Sequence, residues 1–412
     1  MTGTPGPAPS TGTPARRSLN TLTGMRFLSA LTVFFFHITV LAATLPYGVD
    51  LLHIFGSADA RDTYTGIFGA IGFTGVSFFF VLSGFVLAWA QRPTDTVARF
   101  WRRRFFKIYP LHLVTYLIGL VVLVGWRFDG GPGSPDIPAF FLVQSWIPDV
   151  RTLLGANAVS WSIATEAVFY ALFPLVFPLL TRIRIDRVKW WIAGLFAVRL
   201  AWAVVTDLTM GDTVFAYWFN YEFPVPRVPE FFIGVLLARL VVAGRWRDIG
   251  LVPSALLLVA GEVLALNVPL PYAQAPATLL PVILVVAAGA TADIKDRASF
   301  LSSRVMVWLG EISFAFYLVH LIVLIGVRKL LGPENSFSVA GAVGYLALCL
   351  LIAVALAALL HRYVEQPVMR RWSRPGPDRP QTVAASLDAD RPAPPPAPGA
   401  RTADREPTGR SS

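Results

Sequence analysis

Arg26 and His37 stand eleven residues apart in the first strongly apolar run of the chain, Arg26-Phe-Leu-Ser-Ala-Leu-Thr-Val-Phe-Phe-Phe-His37. A helix turns by about 100° per residue, so eleven steps return to within about 20° of the start. The two side chains therefore share a face, about 16 Å apart along the axis. Ionisable groups inside an apolar span are costly and are usually kept for a purpose. An imidazole titrates near neutrality and can take a proton from a hydroxyl. Taken singly, Arg26 also fits an interfacial anchor whose guanidinium reaches headgroups, and His37 a buried histidine bonded to a neighbouring helix.

Three further segments carry polar side chains at helical spacing. Phe100-Trp-Arg102-Arg103-Arg104-Phe-Phe-Lys107-Ile-Tyr-Pro110 interleaves cations with aromatics at the start of an apolar run. Flanking charge explains most such clusters, but arginine forks also match phosphates. In Ser160-Trp161-Ser162-Ile-Ala-Thr165-Glu166-Ala-Val-Phe-Tyr170, the residues Ser162, Glu166 and Tyr170 recur at i, i+4 and i+8 and drift only slightly around one face. A glutamate there needs a partner or a wet cavity. Ser313, Tyr317 and His320 form one polar stripe on an apolar helix, where bonding between helices is the simplest role. Phe73-Thr-Gly75-Val-Ser77-Phe-Phe-Phe-Val-Leu-Ser83-Gly84 places small residues where helices can pack closely.

The elements that must hold these residues are membrane helices. The chain of 412 residues is 55% hydrophobic and only 15% charged, against about 25% charged in a soluble domain. Its apolar runs are long enough to cross lipid. They predict an all-α polytopic bundle of about ten spans, centred within 25–45, 70–90, 108–126, 160–180, 190–206, 227–243, 250–267, 275–292, 307–327 and 339–360. With the N-terminus cytoplasmic, the inside loops collect Arg92, Arg99, Arg102, Arg103, Arg104 and Lys107, then Arg182, Arg184, Arg187 and Lys189, then Arg245 and Arg247, then Lys295, Arg297 and Arg304, and the C-terminal flank adds Arg362, Arg370, Arg371 and Arg374. The outside loops hold Arg61, Arg127 and Arg151 diluted by aspartates, and only Arg328 and Lys329 fit poorly. This alternation places both termini on the cytoplasmic side of a bacterial cell membrane.

Residues 1–20 and 373–412 are rich in Pro, Thr, Gly, Ala and Arg without apolar periodicity and read as disordered tails around one membrane domain, 21–372. The loop at 127–159, with Phe140, Phe141 and Trp146, is expected to lie on the membrane surface or to cap a cavity.

Other classes find little support. The net charge of +10 is gathered in short loops, as membrane topology requires, and does not point to nucleic acid. The single cysteine, Cys349, excludes an intramolecular disulfide. There is no G-x-S-x-G elbow, Walker loop or zinc helix, and His53, His112 and His361 show no ligand spacing, so neither a metal nor a resident cofactor is expected. A proton-coupled transporter or flippase is the rival reading, since buried His, Glu and Arg suit carriage of an anion, though no repeat symmetry is visible.

The motifs in order resemble the acyltransferase 3 family of bacterial integral membrane acyltransferases, over roughly residues 20–370. The family's arginine, ten residues, histidine pattern is met by Arg26 and His37. Its F-F-V-L-S-G signature falls at Phe79–Gly84, W-S-x-x-x-E at Trp161, Ser162 and Glu166, and S-x-x-x-Y-L-x-H at Ser313, Tyr317 and His320. The usual R-x-x-R-I-x-P-x-Y departs here to Arg104-Phe-Phe-Lys107-Ile-Tyr-Pro110-Leu-His112, where lysine keeps the charge and loses the bidentate fork. The resemblance implies ten core helices, a role for Arg26 and His37 in activity, and transfer of an acyl group, commonly acetyl, from acyl-CoA to a carbohydrate hydroxyl. The chain shows no added C-terminal acceptor domain, as in relatives that acylate macrolides. A sugar or a glycosylated polyketide is thus the expected acceptor, with surface polysaccharide the alternative. The expected roles are phosphate binding by Arg26, Arg103, Arg104 and Lys107, and proton abstraction by His37 with a covalent acyl-histidine left open. Glu166 would orient the imidazole or the acceptor, Ser162 would contact the acceptor, and Tyr317 or His320 would support the oxyanion.

Overall fold

In hydrocarbon every backbone amide must be satisfied within its own segment, so long apolar runs become helices. The computed structural model describes residues 18–42, 52, 54–91, 95–122, 133–332 and 336–372. Eleven principal helices build the bundle: α1 Asn20–Ala42, α2 Ala58–Phe68, α3 Ile71–Ala90, α4 Val97–Val122, α5 Ser160–Thr181, α6 Ile185–Met210, α7 Val228–Val242, α8 Leu251–Ala265, α9 Pro276–Ile294, α10 Arg304–Leu331 and α11 Val339–Leu360. Among the described residues there is no β-strand beyond a single bridge between Phe55 and Phe337. Most of residues 1–20, all of 373–412, and His53 lie outside the described residues.

The all-α bundle is as the composition requires, but the expected count of ten is not reached by length. Eight helical stretches among the described residues are long and apolar enough to span a membrane. The expected spans at 227–243 and 250–267 are α7 and α8, of fifteen residues each. At 1.5 Å per residue they reach about 22 Å, short of a hydrocarbon core of about 30 Å. In α7 every residue from Pro229 to Val241 is buried, so it is a strut inside the protein and needs no lipid-matched length.

The centre of the bundle is α1, α3, α7 and α10. α1 packs along α10 and α3, and α3 packs along α7. The α3–α7 contact is backbone against backbone. A Cβ on Gly84 would lie 1.9 Å from the Phe231 carbonyl oxygen, and one on Gly234 would lie 1.9 Å from that of Val81. The small residues of the Phe73–Gly84 segment thus pack as expected. Outside this centre, α6 and α11 present most of their length outward.

The two cations that fitted the loop pattern poorly are absorbed locally. Arg328 is fully buried with its guanidinium 4.8 Å over the Phe337 ring, and Lys329 Nζ donates to the Val122 carbonyl at 2.9 Å. The segment before α5 folds as short turns, Ser134–Asp136, Ile137–Phe140, Gln144–Trp146 and Val150–Leu154. Asp149 caps the last of these, accepting from the Thr152 amide at 2.9 Å and its hydroxyl at 2.7 Å. Those bonds hold its carboxyl below the usual range.

Candidate active site

Helices α1 and α10 bring two imidazoles together. His37 Nδ1 lies 2.8 Å from the Val33 carbonyl oxygen and 3.1 Å from His320 Nε2. His320 Nδ1 lies 3.3 Å from the Phe316 carbonyl oxygen. A carbonyl only accepts, so both Nδ1 atoms carry protons, and His320 Nε2 offers a lone pair to the His37 Nδ1–H. In the neutral ring this arrangement leaves the lone pair on His37 Nε2. Phe316 stacks on the His320 ring at 5.8 Å and 17°, holding its plane.

Two small cavities neighbour each other in the bundle, sharing two lining residues. One, of about 80 Å³, is lined by Arg26, Lys107, Ser162, Glu166, Ser313 and Tyr317, with Val76 and Phe80 among its apolar walls. The other, of about 60 Å³, is lined by His37, Trp161, Tyr217, Tyr221, Glu222 and Tyr317, again with Val76. Val76 and Tyr317 belong to both linings and mark where the cavities meet. Arg26 and His37 therefore share the inward side of α1 but serve different compartments. Leu154 and Ala158 are among the lining residues of the second cavity, so the described part of the 127–159 loop borders it.

The remaining expected residues sort by cavity. Ser162 Oγ is 2.7 Å from the Tyr317 hydroxyl and joins α5 to α10. Glu166 accepts from Ser83 at 2.8 Å and from Tyr170 one turn away. Its hydrogen bonds fall at the Arg26 end and not on the imidazole of His37, whose ring partner is His320. Ser313 turns its hydroxyl to the Gly310 carbonyl of its own helix at 2.7 Å.

The four expected phosphate ligands are not equally placed. Arg26 and Lys107 face the first cavity. Arg103 donates to both oxygens of Asp95, at 2.7 Å from Nη1 to Oδ1. Arg104 lies 5.8 Å from both the Phe100 and Tyr170 rings. Lys107 pairs with buried Glu365, which a π-helical turn at His361–Glu365 turns inward.

Sequence reasoning missed Ser83 as a Glu166 ligand, the aromatic wall of Tyr217 and Tyr221, and a buried charge cluster. Tyr217 ends the helical turn Val214–Tyr217, and Tyr221 stands in the π-helical turn Trp218–Glu222 that follows, a form common at functional sites. Within the cluster Glu230 accepts from Arg227 at 2.9 Å and Arg199 at 3.3 Å, and all three side chains are fully buried. The Arg227 guanidinium stands 5.1 Å from Phe80, a wall of the first cavity, and 5.0 Å from Tyr221, a wall of the second. Charges inside apolar runs were the available signal. Among the described residues no group of three His, Cys, Asp or Glu side chains is placed to hold a metal.

Comparison with known proteins agrees with this architecture. The chain is 39% identical over 377 residues to the acyltransferase MdmB of Streptomyces mycarofaciens, covering 87% of this chain and 94% of that one. It is 23% identical over 333 residues to the O-acetyltransferase OatA of Staphylococcus aureus strain NCTC 8325 / PS 47, covering 73% of this chain and 53% of that protein. No solved structure matches the chain. A profile described as an acyltransferase domain matches residues 19–361, and with the paired histidines and the helical bundle in place, the chain belongs to the acyltransferase 3 family and is a multi-pass membrane acyltransferase.

Proposed function

We propose that this acyltransferase moves an acyl group, acetyl in the first instance, from acyl-CoA to a hydroxyl of a sugar or glycosylated polyketide such as a macrolide. The observation that carries the reading is the pair of cavities meeting at Val76 and Tyr317, cationic at one end and holding an unprotonated imidazole nitrogen at the other. The positive-inside pattern assigns the Arg26 end to the cytosol, where acyl-CoA is available. Arg26 and Lys107 there suit the donor's anionic groups, with Arg104 beside them and Arg103 drawn in when it leaves Asp95. The acceptor hydroxyl sits in the His37 cavity against Trp161, Tyr217 and Tyr221, aromatic faces that suit a sugar ring or a macrolide.

His37 Nε2 takes the hydroxyl proton as the oxygen attacks the thioester carbon. The developing oxyanion is stabilised by the Tyr317 hydroxyl. The C–S bond then breaks, and the imidazolium returns its proton to the leaving thiolate. Throughout, the Nδ1–H of His37 is held by Val33 and His320, so the ring keeps one orientation. Glu166 lies in the Arg26-end cavity, where it fixes Tyr170 and Ser83, and it lines no part of the His37 cavity that takes the acceptor, so the orienting role expected of it is not assigned. The test is thioester cleavage by purified protein in lipid, supplied with acetyl-CoA and a glycosylated macrolide. CoA release should depend on the acceptor and fall at least about a thousandfold in His37→Ala, within the range general-base removal produces. Acceptor movement with the thioester intact would establish a transporter instead.

A further inference from the structure

On the opposite side of the α1–α3 pair from His37 lies a larger cavity of about 400 Å³, walled by α1, α3, α8 and α9. The seam between the two sites is tight. A Cβ on Gly75 would come within 2.6 Å of Thr32 Oγ1, and one on Gly72 within 2.2 Å of the Phe36 ring. The larger cavity is therefore separate from the transfer centre. Its walls are apolar, with Leu28, Phe78, Leu258 and Val285 among them. Its hydroxyls are already engaged: Ser29 donates to the Gly75 carbonyl at 2.9 Å, and Thr32 to that of Ser29 at 2.8 Å. One charged side chain enters it. Glu262 is the only ionisable residue of α8, and the Thr74 hydroxyl on the same cavity wall donates to that of Thr278 at 2.9 Å. Glu262 Oε2 is buried without a hydrogen-bond partner.

A carboxylate oxygen left unpaired among alkyl side chains carries a desolvation cost that a matching cation removes. The mouth of the cavity faces outward from the bundle. Val252 and Val259 line it and are 70% and 62% exposed on an otherwise apolar helix. We propose that this cavity binds a lipophilic amine, an apolar body bearing one ammonium group, with the Glu262 carboxylate as its counter-ion. The ammonium donates to Oε2 while the alkyl portion replaces lipid against Leu258, Phe78 and Val285.

Saturation binding of tritiated N,N-dimethyldodecylamine to the full chain in lipid nanodiscs, corrected with empty nanodiscs, tests this directly. One saturable site per chain is expected, weakened about tenfold or more in Glu262→Gln. Dodecanol, with the same chain and no charge, should compete poorly. Ala255→Trp, which fills the cavity and keeps the carboxylate, should abolish the site, so the assignment does not depend on one variant assembling. Binding no greater than to empty nanodiscs, equal affinity in Glu262→Gln, or equal competition by dodecanol would overturn it. Acyl transfer by Glu262→Gln should continue, because the residue lies across the seam from His37.

Discussion

At the scale of single residues, the informative feature is the direction of one proton. Because Val33 can only accept, His37 is protonated on Nδ1, and His320 Nε2 helps to hold it there. Removing His320 should free the ring to rotate and to exchange tautomers while leaving the donor site untouched. His320→Ala is therefore expected to lower kcat on the order of a hundredfold with little change in KM for the donor, as loss of an orienting partner does in other base catalysis. His320→Asn restores an acceptor oxygen at that position and should recover part of the rate. Equal loss in the two variants, or a change confined to KM, would show that His320 does not position His37. Spacing along single helices gave each motif one shared face: Arg26, Ser162, Glu166 and Tyr317 line the first cavity, His37 and Tyr317 the second, and His320 lies behind His37. Spacing could not say that Glu166 would bond Ser83, that Asp95 would hold Arg103, or that Glu365 would meet Lys107 from 258 positions away. Those pairings are set by how helices dock, which a one-dimensional pattern does not encode.

At the scale of elements, the bundle depends on two helices whose backbones touch. The reciprocal approach of Gly84 to Phe231 and of Gly234 to Val81 leaves no space for a side chain in either direction. Gly84→Leu must push α3 and α7 apart, at about 3 kcal/mol or more of overpacking. Less folded protein should survive detergent extraction, and the thermal midpoint should fall. A Cβ added at Gly194 on α6 would meet nothing within 4 Å, so Gly194→Leu is the matched control and should behave as the parent. An unchanged midpoint in Gly84→Leu would refute the close crossing. The sequence pattern already suggested that the Phe79–Gly84 stretch packs closely, since small residues let membrane helices approach. Its partner was hidden. The run that forms α7 reads as a span because it is apolar apart from Glu230 and Arg239, a property shared by a lipid-crossing helix and one enclosed by protein. Only its fifteen-residue length separates the two cases.

At the scale of the whole molecule, the transfer scheme requires that the Arg26 end face the cytosol. The distribution of loop cations predicts that orientation, and the molecule offers a clean way to check it. Its only cysteine, Cys349, is fully buried in the bundle, so the parent chain should be silent to a membrane-impermeant maleimide. Asp62, on α2 at the end opposite the basic loops, has a side chain 70% exposed. Arg184, between α5 and α6, has one 73% exposed. In intact cells Asp62→Cys should be labelled and Arg184→Cys should not. After permeabilisation both should react, with Cys349 still protected. The reverse pattern would place Arg26 and Lys107 on the outer face, away from the cytosolic acyl-CoA pool. It would leave His37 on the inner one, and the donor and acceptor ends assigned above would have to be exchanged.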